Sequence, residues 1–203
     1  MRKCGDVENV KIGETAFPHF PHLSHFHINY MNILELFKKI TTFIFDVDGV
    51  LTDGTVLVLE DGLQARRMNI KDGFALQMAE KNGYRVLVIS GGNSPQVTQR
   101  LEKLGITNIH MAVLDKKAFV LDYISANKLK AEEVLYMGDD LPDLPALSVV
   151  GLPCCPADAV SEVKEAVQYI SPINGGCACV RDVIEKVLKL NDHWHFRVDV
   201  TSR

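Results

Sequence analysis

The 203-residue sequence has no run of eighteen consecutive apolar residues, so no segment of it is predicted to cross a membrane as a helix. Its first residues lack the apolar stretch and small-residue cleavage site of a secretory signal. It also has no basic block and no stretch of interleaved arginines and aromatics, and its formal net charge is -4. These absences argue against membrane and nucleic-acid partners, and we expect a cytoplasmic protein.

Cysteine is scarce, with five residues in all. A chain of this length buries a hydrophobic core without disulfide bonds, and the odd count favours reduced thiols. The pairs Cys154-Cys155 and Cys177-Ala178-Cys179 are more closely spaced than the thiolates of structural zinc sites, which usually have two to four residues between them. We therefore interpret these cysteines as small buried residues, with a zinc site as the weaker alternative.

Residues 1–30 differ in composition from the rest of the chain. Four histidines and two prolines interleave there with aromatic and aliphatic residues, without a helical or strand period. We predict a disordered extension over 1–30, with Met31 as the native start; a histidine metal site is the weaker alternative. One domain is predicted over 31–190, and the tail at 191–203 lacks a clear period. This pattern does not choose between a frayed tail and one that reaches into a neighbouring site.

From residue 41 onward, short apolar runs alternate with helical patterns. The runs lie at 43–47, 86–89, 109–113, 134–137 and 149–152, each bounded by glycine or polar residues. The helical patterns lie at 72–81, 95–104, 116–126 and 142–147. This alternation predicts a doubly wound, Rossmann-like α/β fold with a parallel sheet. In such folds the ligand binds beyond the carboxyl ends of the strands.

Polar residues follow four of the predicted strands. Asp46 and Asp48 follow the first strand, and such a pair can divide the work of attacking phosphorus and handling a proton. The later positions supply a hydroxyl, a lysine and an acidic cluster that can hold phosphate, balance charge and bind a hard cation. These later residues are Ser90 with Gly91, then Lys116, then Asp139, Asp140 and Asp143. Taken alone, each of these later residues is better explained as a turn, a solvated helix residue or a helix cap. Together at one sheet edge they predict phosphatase chemistry.

The order of these motifs between about 42 and 143 resembles that of the haloacid dehalogenase superfamily of aspartyl-phosphate phosphotransferases. A closer resemblance extends to about residue 190. It is to the subgroup without a cap domain that includes the phosphatases of 3-deoxy-D-manno-octulosonate 8-phosphate (KDO 8-phosphate), which make the KDO sugar of lipopolysaccharide. The stretches that carry it are 45–54, 68–73, 138–143, 175–176 and 180–182.

The resemblance implies a role for each motif. Asp46 would be the nucleophile, and Asp48 the general acid for the leaving sugar and then the base for water. The Ser90 hydroxyl and the Gly91 amide would bind the transferring phosphoryl group, and Lys116 would balance charge at the nucleophile. Mg²⁺ would be bound by the Asp46 carboxylate, the backbone carbonyl of Asp48 and Asp139, with Asp140 or Asp143 in support.

The interval from Gly54 to Asp72 contains two strand-like runs around an Asp-Gly turn, which predicts a β-hairpin. It is too short for a lid domain. In the resembled subgroup such hairpins assemble a homotetramer in which neighbours cover each site, so we expect a tetramer formed through the segment that includes Val56 and Val58. An exposed hairpin on a monomer is an equally weighted alternative. Arg67, Asn69 and Asp72 are our candidates for sugar contacts.

Two departures from the subgroup leave the substrate open. Ser90 stands where threonine is frequent, and Gly92 aligns with a position that is often arginine. A related phosphatase acting on another sugar-acid phosphate, such as a nonulosonate 9-phosphate, is therefore an alternative. A phospho-receiver signalling domain is a third, from another class, but a receiver has no need of a general acid at Asp48.

Overall fold

The computed structural model describes residues 32–195, in which a parallel sheet is flanked by helices. The helices are α1 Ile33–Lys39, α2 Ile70–Lys81, α3 Pro95–Glu102, α4 Lys116–Ala126, α5 Leu144–Leu147, α6 Ser161–Ala166 and α7 Cys179–Leu190. The strands are β1 Thr42–Phe45, β2 Leu57–Val58, β3 Gln64–Ala65, β4 Arg85–Ile89, β5 Asn108–His110, β6 Val134–Met137, β7 Leu152–Cys155 and β8 Tyr169–Ile170. Short 3₁₀ turns at Ala131–Glu133 and Leu141–Asp143 precede β6 and α5.

The central sheet has six strands in the order β5-β4-β1-β6-β7-β8, and every neighbouring pair is parallel. Strand β1 lies between β4 and β6, with Thr42 in register with Arg85 on one side and Val134 on the other. All four residues of β1 are buried. Because parallel strands end at the same edge, the residues that follow these three strands meet there.

Alternate residues of β1 pack into different cores, as expected for a strand covered on both faces. Phe43 and Phe45 belong to a core with residues of α1, α2, α3 and α7. Ile44 belongs to a second core with residues of α4, α5 and α6. The predicted doubly wound α/β fold is therefore confirmed.

Strand β7 differs from its prediction. The apolar run at 149–152 predicts a strand three residues too early, since Val149 and Val150 lie in the preceding loop and the strand runs over Leu152–Cys155. Pro153 has no N–H to donate to a neighbouring strand, so this segment is a weak strand signal in the sequence. Pairing with β6 and β8 determines its position instead. The short elements α6 and β8, and helix α7, were not delimited from the sequence.

The predicted hairpin is present, and it is small. Strands β2 and β3 pair antiparallel, with Val58 opposite Gln64, and Gly62 in the connecting turn has φ +81°. Three of its apolar side chains project into solvent: Leu57 is 64% exposed, Val58 67% and Leu63 54%. Between the helical turn at Val47–Leu51 and α2, β2 and β3 are the only strands in residues 32–195.

Two predicted segments fall largely outside the described residues. The extension at 1–30 lies there entirely, and of the tail at 191–203 only the first five residues are described. Within the described part, Trp194 packs edge-on against Phe74, with ring centroids 6.1 Å apart. No helix in residues 32–195 has the length and apolar character needed to cross a membrane. The four described cysteines are free thiols.

Candidate active site

Asp46 follows β1 and lines a cavity of about 370 Å³ at the carboxyl edge of the sheet. Its backbone N–H donates to the carbonyl of Met137 at the end of β6, at 3.0 Å. Burial, and after it the neighbouring Asp143 carboxylate, raise the pKa of Asp46 to about 7, against the lowering effect of Lys116. A carboxylate must be ionised to act as a nucleophile, so Asp46 depends on positive charge beside it.

Lys116, the first residue of α4, supplies part of that charge. Its Nζ lies 3.0 Å from Asp46 Oδ1 and 2.7 Å from Asp143 Oδ1, and all three side chains are buried. A cation at a helix N-terminus is disfavoured by the helix dipole, so the two carboxylates explain the position of this lysine. It holds Asp46 and Asp143 together at the sheet edge.

Asp143 is satisfied by four donors. Its Oδ1 accepts from Lys116 Nζ and from the hydroxyl of Tyr136 at 2.6 Å, and its Oδ2 accepts from the backbone N–H groups of Asp139 at 3.1 Å and Asp140 at 3.4 Å. A carboxylate with two donors on each oxygen has little capacity left for another ligand. Asp143 therefore orients the loop that carries Asp139, and its part in a metal site stays a prediction.

A hard cation fits between these carboxylates. Oxygens of Asp46, Asp139 and Asp143 lie within 4.8 Å of one another. Asp139 Oδ1 is buried and has no hydrogen-bond partner. Burial and the surrounding carboxylates raise the pKa of Asp139 to about 7. An unpartnered oxygen among acidic groups is what an oxygen-binding divalent ion requires. The side chain of Asp140 accepts from the Leu141 N–H at 2.7 Å and caps the next turn.

Asp48 lines the same cavity as Lys116, and a sharp turn of the backbone follows it. Gly49 has φ +83°, and a Cβ there would lie 2.0 Å from Asp139 Oδ2, so only glycine fits without strain. Asp48 lines the cavity, and its side chain is 40% exposed. Its Oδ1 accepts from Arg66 Nε at 2.6 Å.

The loop after β4 also lines the cavity. Ser90 is buried, and its Oγ accepts from the backbone N–H of Gly92 at 3.1 Å. Gly91 and Gly92 also line the cavity and place no side chain in it. A hydroxyl and small residues at a loop before a helix leave room for the oxygens of a phosphoryl group. The structure thus brings Asp46, Asp48, Ser90, Gly91, Lys116, Asp139, Asp140 and Asp143 to one cavity.

Comparison with known proteins agrees with this arrangement. The family model of haloacid dehalogenase-like hydrolases matches residues 107–184. The 3-deoxy-D-manno-octulosonate 8-phosphate phosphatase of Haemophilus influenzae is 33% identical over 156 residues, which are 77% of this chain and 85% of that protein. The Escherichia coli K12 protein of that name is 31% identical over 157 residues, 77% of this chain and 84% of that protein. This chain belongs to the 3-deoxy-D-manno-octulosonate 8-phosphate phosphatase family of haloacid dehalogenase-like hydrolases.

A solved structure is similar over most of the chain. It is the 3-deoxy-D-manno-octulosonate 8-phosphate phosphatase from Moraxella catarrhalis in complex with magnesium ion, phosphate ion and KDO. It is 31% identical with a TM-score of 0.77, and the match covers 81% of this chain and 95% of that one. The predicted family and the prediction of a phosphoric monoester hydrolase are confirmed, and the receiver-domain interpretation is not.

The three residues predicted to contact the sugar are engaged outside this cavity. Arg67 is 76% exposed and pairs with Asp53 at 2.7 Å. Asn69 caps α2 by accepting from the Lys71 N–H and donates to the Gly176 carbonyl at 3.3 Å.

Asp72 is the third of these residues, and its Oδ1 accepts from the N–H of Arg181 in the first turn of α7 at 2.7 Å. It is buried, and burial raises its pKa to about 6. None of the three lines the cavity within the subunit, so their role in substrate contact stays a prediction.

Asn69 contacts a loop that supports the catalytic turn. Gly176 donates its N–H to the Val50 carbonyl at 2.9 Å, and a Cβ on Gly175 would lie 1.9 Å from the Gly49 carbonyl oxygen. Only a chain without side chains at 175 and 176 can approach the turn this closely. The glycine pair that carried the family resemblance therefore holds the loop next to Asp48.

Two residues of the site are not predicted by the sequence patterns. Tyr136 lies within β6, where its hydroxyl has no sequence signal distinguishing it from a core aromatic. Of the two adjacent arginines, Arg67 is the one predicted to contact the sugar, and Arg66 is not among the predicted site residues. Because successive residues near a strand project to opposite sides, only one of the two arginines can face Asp48, and the sequence does not say which.

Proposed function

We propose that this protein is a Mg²⁺-dependent phosphatase that hydrolyses KDO 8-phosphate to KDO and phosphate, in the cytoplasm, during the synthesis of lipopolysaccharide precursors. The observation that carries the proposal is the single cavity that joins Asp46, Asp48, Lys116 and Asp139 in a chain of this phosphatase family. The relatives named above support the substrate, since their similarity covers most of both chains.

In the first half of the reaction, Asp46 attacks phosphorus and displaces the sugar oxygen. The O–P bond to Asp46 forms as the bond to the sugar breaks, which leaves a phosphoaspartate and frees KDO. Asp48, which lines the same cavity, gives its proton to the departing alkoxide. Ser90 Oγ and the Gly91 N–H hold the phosphoryl oxygens, and Lys116 keeps the negative charge of Asp46 close to phosphorus.

In the second half, Asp48 is ionised and takes a proton from a water molecule that attacks the phosphoaspartate. The water oxygen bonds to phosphorus, the bond to Asp46 breaks, and phosphate leaves with both aspartates in their starting states. A Mg²⁺ ion at Asp46, the Asp48 carbonyl and Asp139 would offset the repulsion between the phosphate dianion and the carboxylate nucleophile. Asp143 keeps Asp139 in place for that ligand set through its bond to the Asp139 N–H.

The test is phosphate release from a panel of sugar-acid phosphates by the full chain with Mg²⁺. KDO 8-phosphate is expected to have the highest kcat/KM, above nonulosonate 9-phosphates and simple hexose phosphates. Asp46→Asn should abolish turnover, because the amide cannot form the phosphoaspartate. A preference for a nonulosonate phosphate would show that the proposed substrate is wrong and leave the proposed mechanism intact. Full activity in Asp46→Asn would refute the mechanism.

We infer further that the active form is a homotetramer assembled through the hairpin β2–β3. The exposed side chains of Leu57, Val58 and Leu63 support this, since a cluster of large apolar side chains exposed on one small element is typical of an interface. A lone subunit would leave the cavity open to water, because the hairpin is too small to close it.

Static light scattering tests the oligomer. The wild type is expected to have a tetramer's mass, and Val58→Asp, which places a charge on the exposed hairpin, is expected to shift the mass toward a monomer. A monomeric wild type with undiminished, substrate-selective turnover would refute this part of the proposal.

A further inference from the structure

Arg66 connects the hairpin to the catalytic pair. It follows β3 directly, and its side chain reaches over Asp48 with only 11% of its surface exposed. The Nε atom lies 2.6 Å from Asp48 Oδ1, and Nη2 lies 3.4 Å from Oδ2. These residues are 18 positions apart in the chain, so folding rather than sequence proximity brings them together.

The contact is unequal at the two oxygens of Asp48. Oδ1 is at the short distance typical of a charge-assisted bond, whereas 3.4 Å to Oδ2 is a weak contact. Oδ2 faces the other wall of the cavity: a Cβ on Gly92 would lie 3.4 Å from Asp48 Oδ2 and 3.6 Å from Ser90 Oγ. The oxygen that Arg66 leaves nearly free is therefore the one turned toward the predicted phosphate loop.

An exposed ion pair at this distance would stabilise the protein little, because water competes for both partners. Arg66 is largely shielded, however, and its planar guanidinium fixes the direction of the carboxylate. A half-exposed Asp48 without that contact would rotate about its side-chain bonds. The geometry thus favours a role in orientation over one in holding the fold.

We propose that Arg66 is a positioning residue that holds Asp48 Oδ1 and so aims Oδ2 at the oxygen of the leaving group. This rests on the proposed function, in which Asp48 delivers and later accepts the catalytic proton. When Asp48 is protonated, Arg66 Nε donates to Oδ1 as a carbonyl oxygen while Oδ2 carries the proton. Oδ2 gives that proton to the alkoxide as the P–O bond breaks, and Arg66 keeps its hold on Oδ1 when the carboxylate then accepts a proton from water.

A positioning role predicts a dependence on the leaving group. A sugar alkoxide is a poor leaving group that needs the proton, whereas 4-nitrophenolate departs with little help from an acid. Loss of Arg66 should therefore slow hydrolysis of a sugar or alkyl phosphate much more than that of 4-nitrophenyl phosphate. A residue that only bound the phosphoryl group, or only stabilised the fold, would affect both esters alike.

The experiment compares kcat and KM of wild type, Arg66→Met and Arg66→Lys on KDO 8-phosphate and on 4-nitrophenyl phosphate, at saturating Mg²⁺. For Arg66→Met we expect kcat on KDO 8-phosphate to fall by about 10- to 100-fold, and on the aryl ester by less than about threefold, with KM changed little. Arg66→Lys, which can still donate to Oδ1, should recover part of the loss. Arg85→Met is the control, since it removes the same charge from an exposed position at the opposite edge of the sheet.

Three results would overturn the proposal: equal losses on both esters, a rise in KM alone, or no loss in Arg66→Met. If Arg66→Met has a lower melting temperature than the wild type, Arg66→Lys provides the test. A loss of kcat in Arg66→Lys that is larger on the sugar phosphate than on the aryl ester would still support the positioning role. If the wild type does not hydrolyse KDO 8-phosphate, the proposed substrate is wrong, and the same comparison with glycerol phosphate tests Arg66 independently. A wild type that hydrolyses the aryl ester and no alkyl phosphate would overturn the positioning role as well.

Discussion

Replacing Lys116 by methionine is expected to destabilise the protein strongly as well as to inactivate it. The substitution keeps the length of the side chain and removes the ammonium that lies between Asp46 and Asp143. Asp143 is 1% exposed and Asp46 7%, so neither carboxylate can recover its lost partner from water. Lys116 is the only cation among the residues that line the cavity in the described part of the chain.

The magnitude follows from that burial. Removing one partner of a buried ion pair typically costs about 3–5 kcal/mol, because the remaining charge is left uncompensated. Asp143 keeps its bonds from the Tyr136 hydroxyl and two backbone N–H groups, which places the expected loss toward about 3 kcal/mol. Against a typical domain stability of about 5–15 kcal/mol, this is a large fraction.

Urea unfolding of the full chain in EDTA measures this loss. Lys117→Met is the matched control, because it removes the same charge from the next, exposed position of α4 and should change stability by less than about 0.5 kcal/mol. Saturating Mg²⁺ should reduce the loss in Lys116→Met, since a cation at the acidic cluster compensates the same carboxylates. Equal stabilities of the two variants in EDTA would refute the view that Lys116 compensates buried charge.

Asp48→Asn should lower kcat on the sugar phosphate by about 100-fold or more while Mg²⁺ binding is retained, since its backbone carbonyl is unchanged; steady-state kinetics and metal titration check both. In Gly175→Ala the new Cβ would displace the Gly49 carbonyl, 1.9 Å away, so kcat should fall by about tenfold or more. Gly151→Ala, with a comparable backbone clash away from the site, should lose stability with little change in kcat of the folded protein. Because the pKa of Asp72 is raised from 3.8 to about 6, ionisation opposes folding, so stability should fall as the pH rises from about 4 to about 6, by about 3 kcal/mol at most. Urea unfolding across this pH range should show a smaller fall in stability for Asp72→Asn than for the wild type. Equal falls in the two proteins would contradict the view that burial raises the pKa of Asp72.

Local pattern was sufficient for the fold class and the main catalytic candidates. Alternating apolar runs and helical periods predict a parallel sheet, and a parallel sheet collects whatever follows its strands at one edge. Asp46, Ser90, Lys116 and Asp139 were identified in this way, because each follows a strand of the predicted sheet. No knowledge of which strands are neighbours was needed for that step.

Strand position and supporting contacts required more than local pattern. Strand β7 was misplaced because Pro153 gives a weak strand signal, and pairing with β6 and β8 determined where it lies. Tyr136 lies in the apolar run at 134–137, and nothing in that run indicates that its hydroxyl donates to Asp143. Such contacts join residues on different elements, and no periodicity in the sequence records them.

Local sequence is enough to predict the alternation of strands and helices from β1 to β7 and the chemical groups at the strand ends, since periodicity and turn residues are local properties. Tertiary packing sets the position of β1 between β4 and β6, the choice of Arg66 over Arg67 to face Asp48, and the hydrogen bond from α7 to the Asp72 carboxyl. The reason is that these choices depend on packing between segments far apart in the chain. A hydrogen bond between Asp72 and the N–H of Arg181, 109 positions away, leaves no mark on either local sequence.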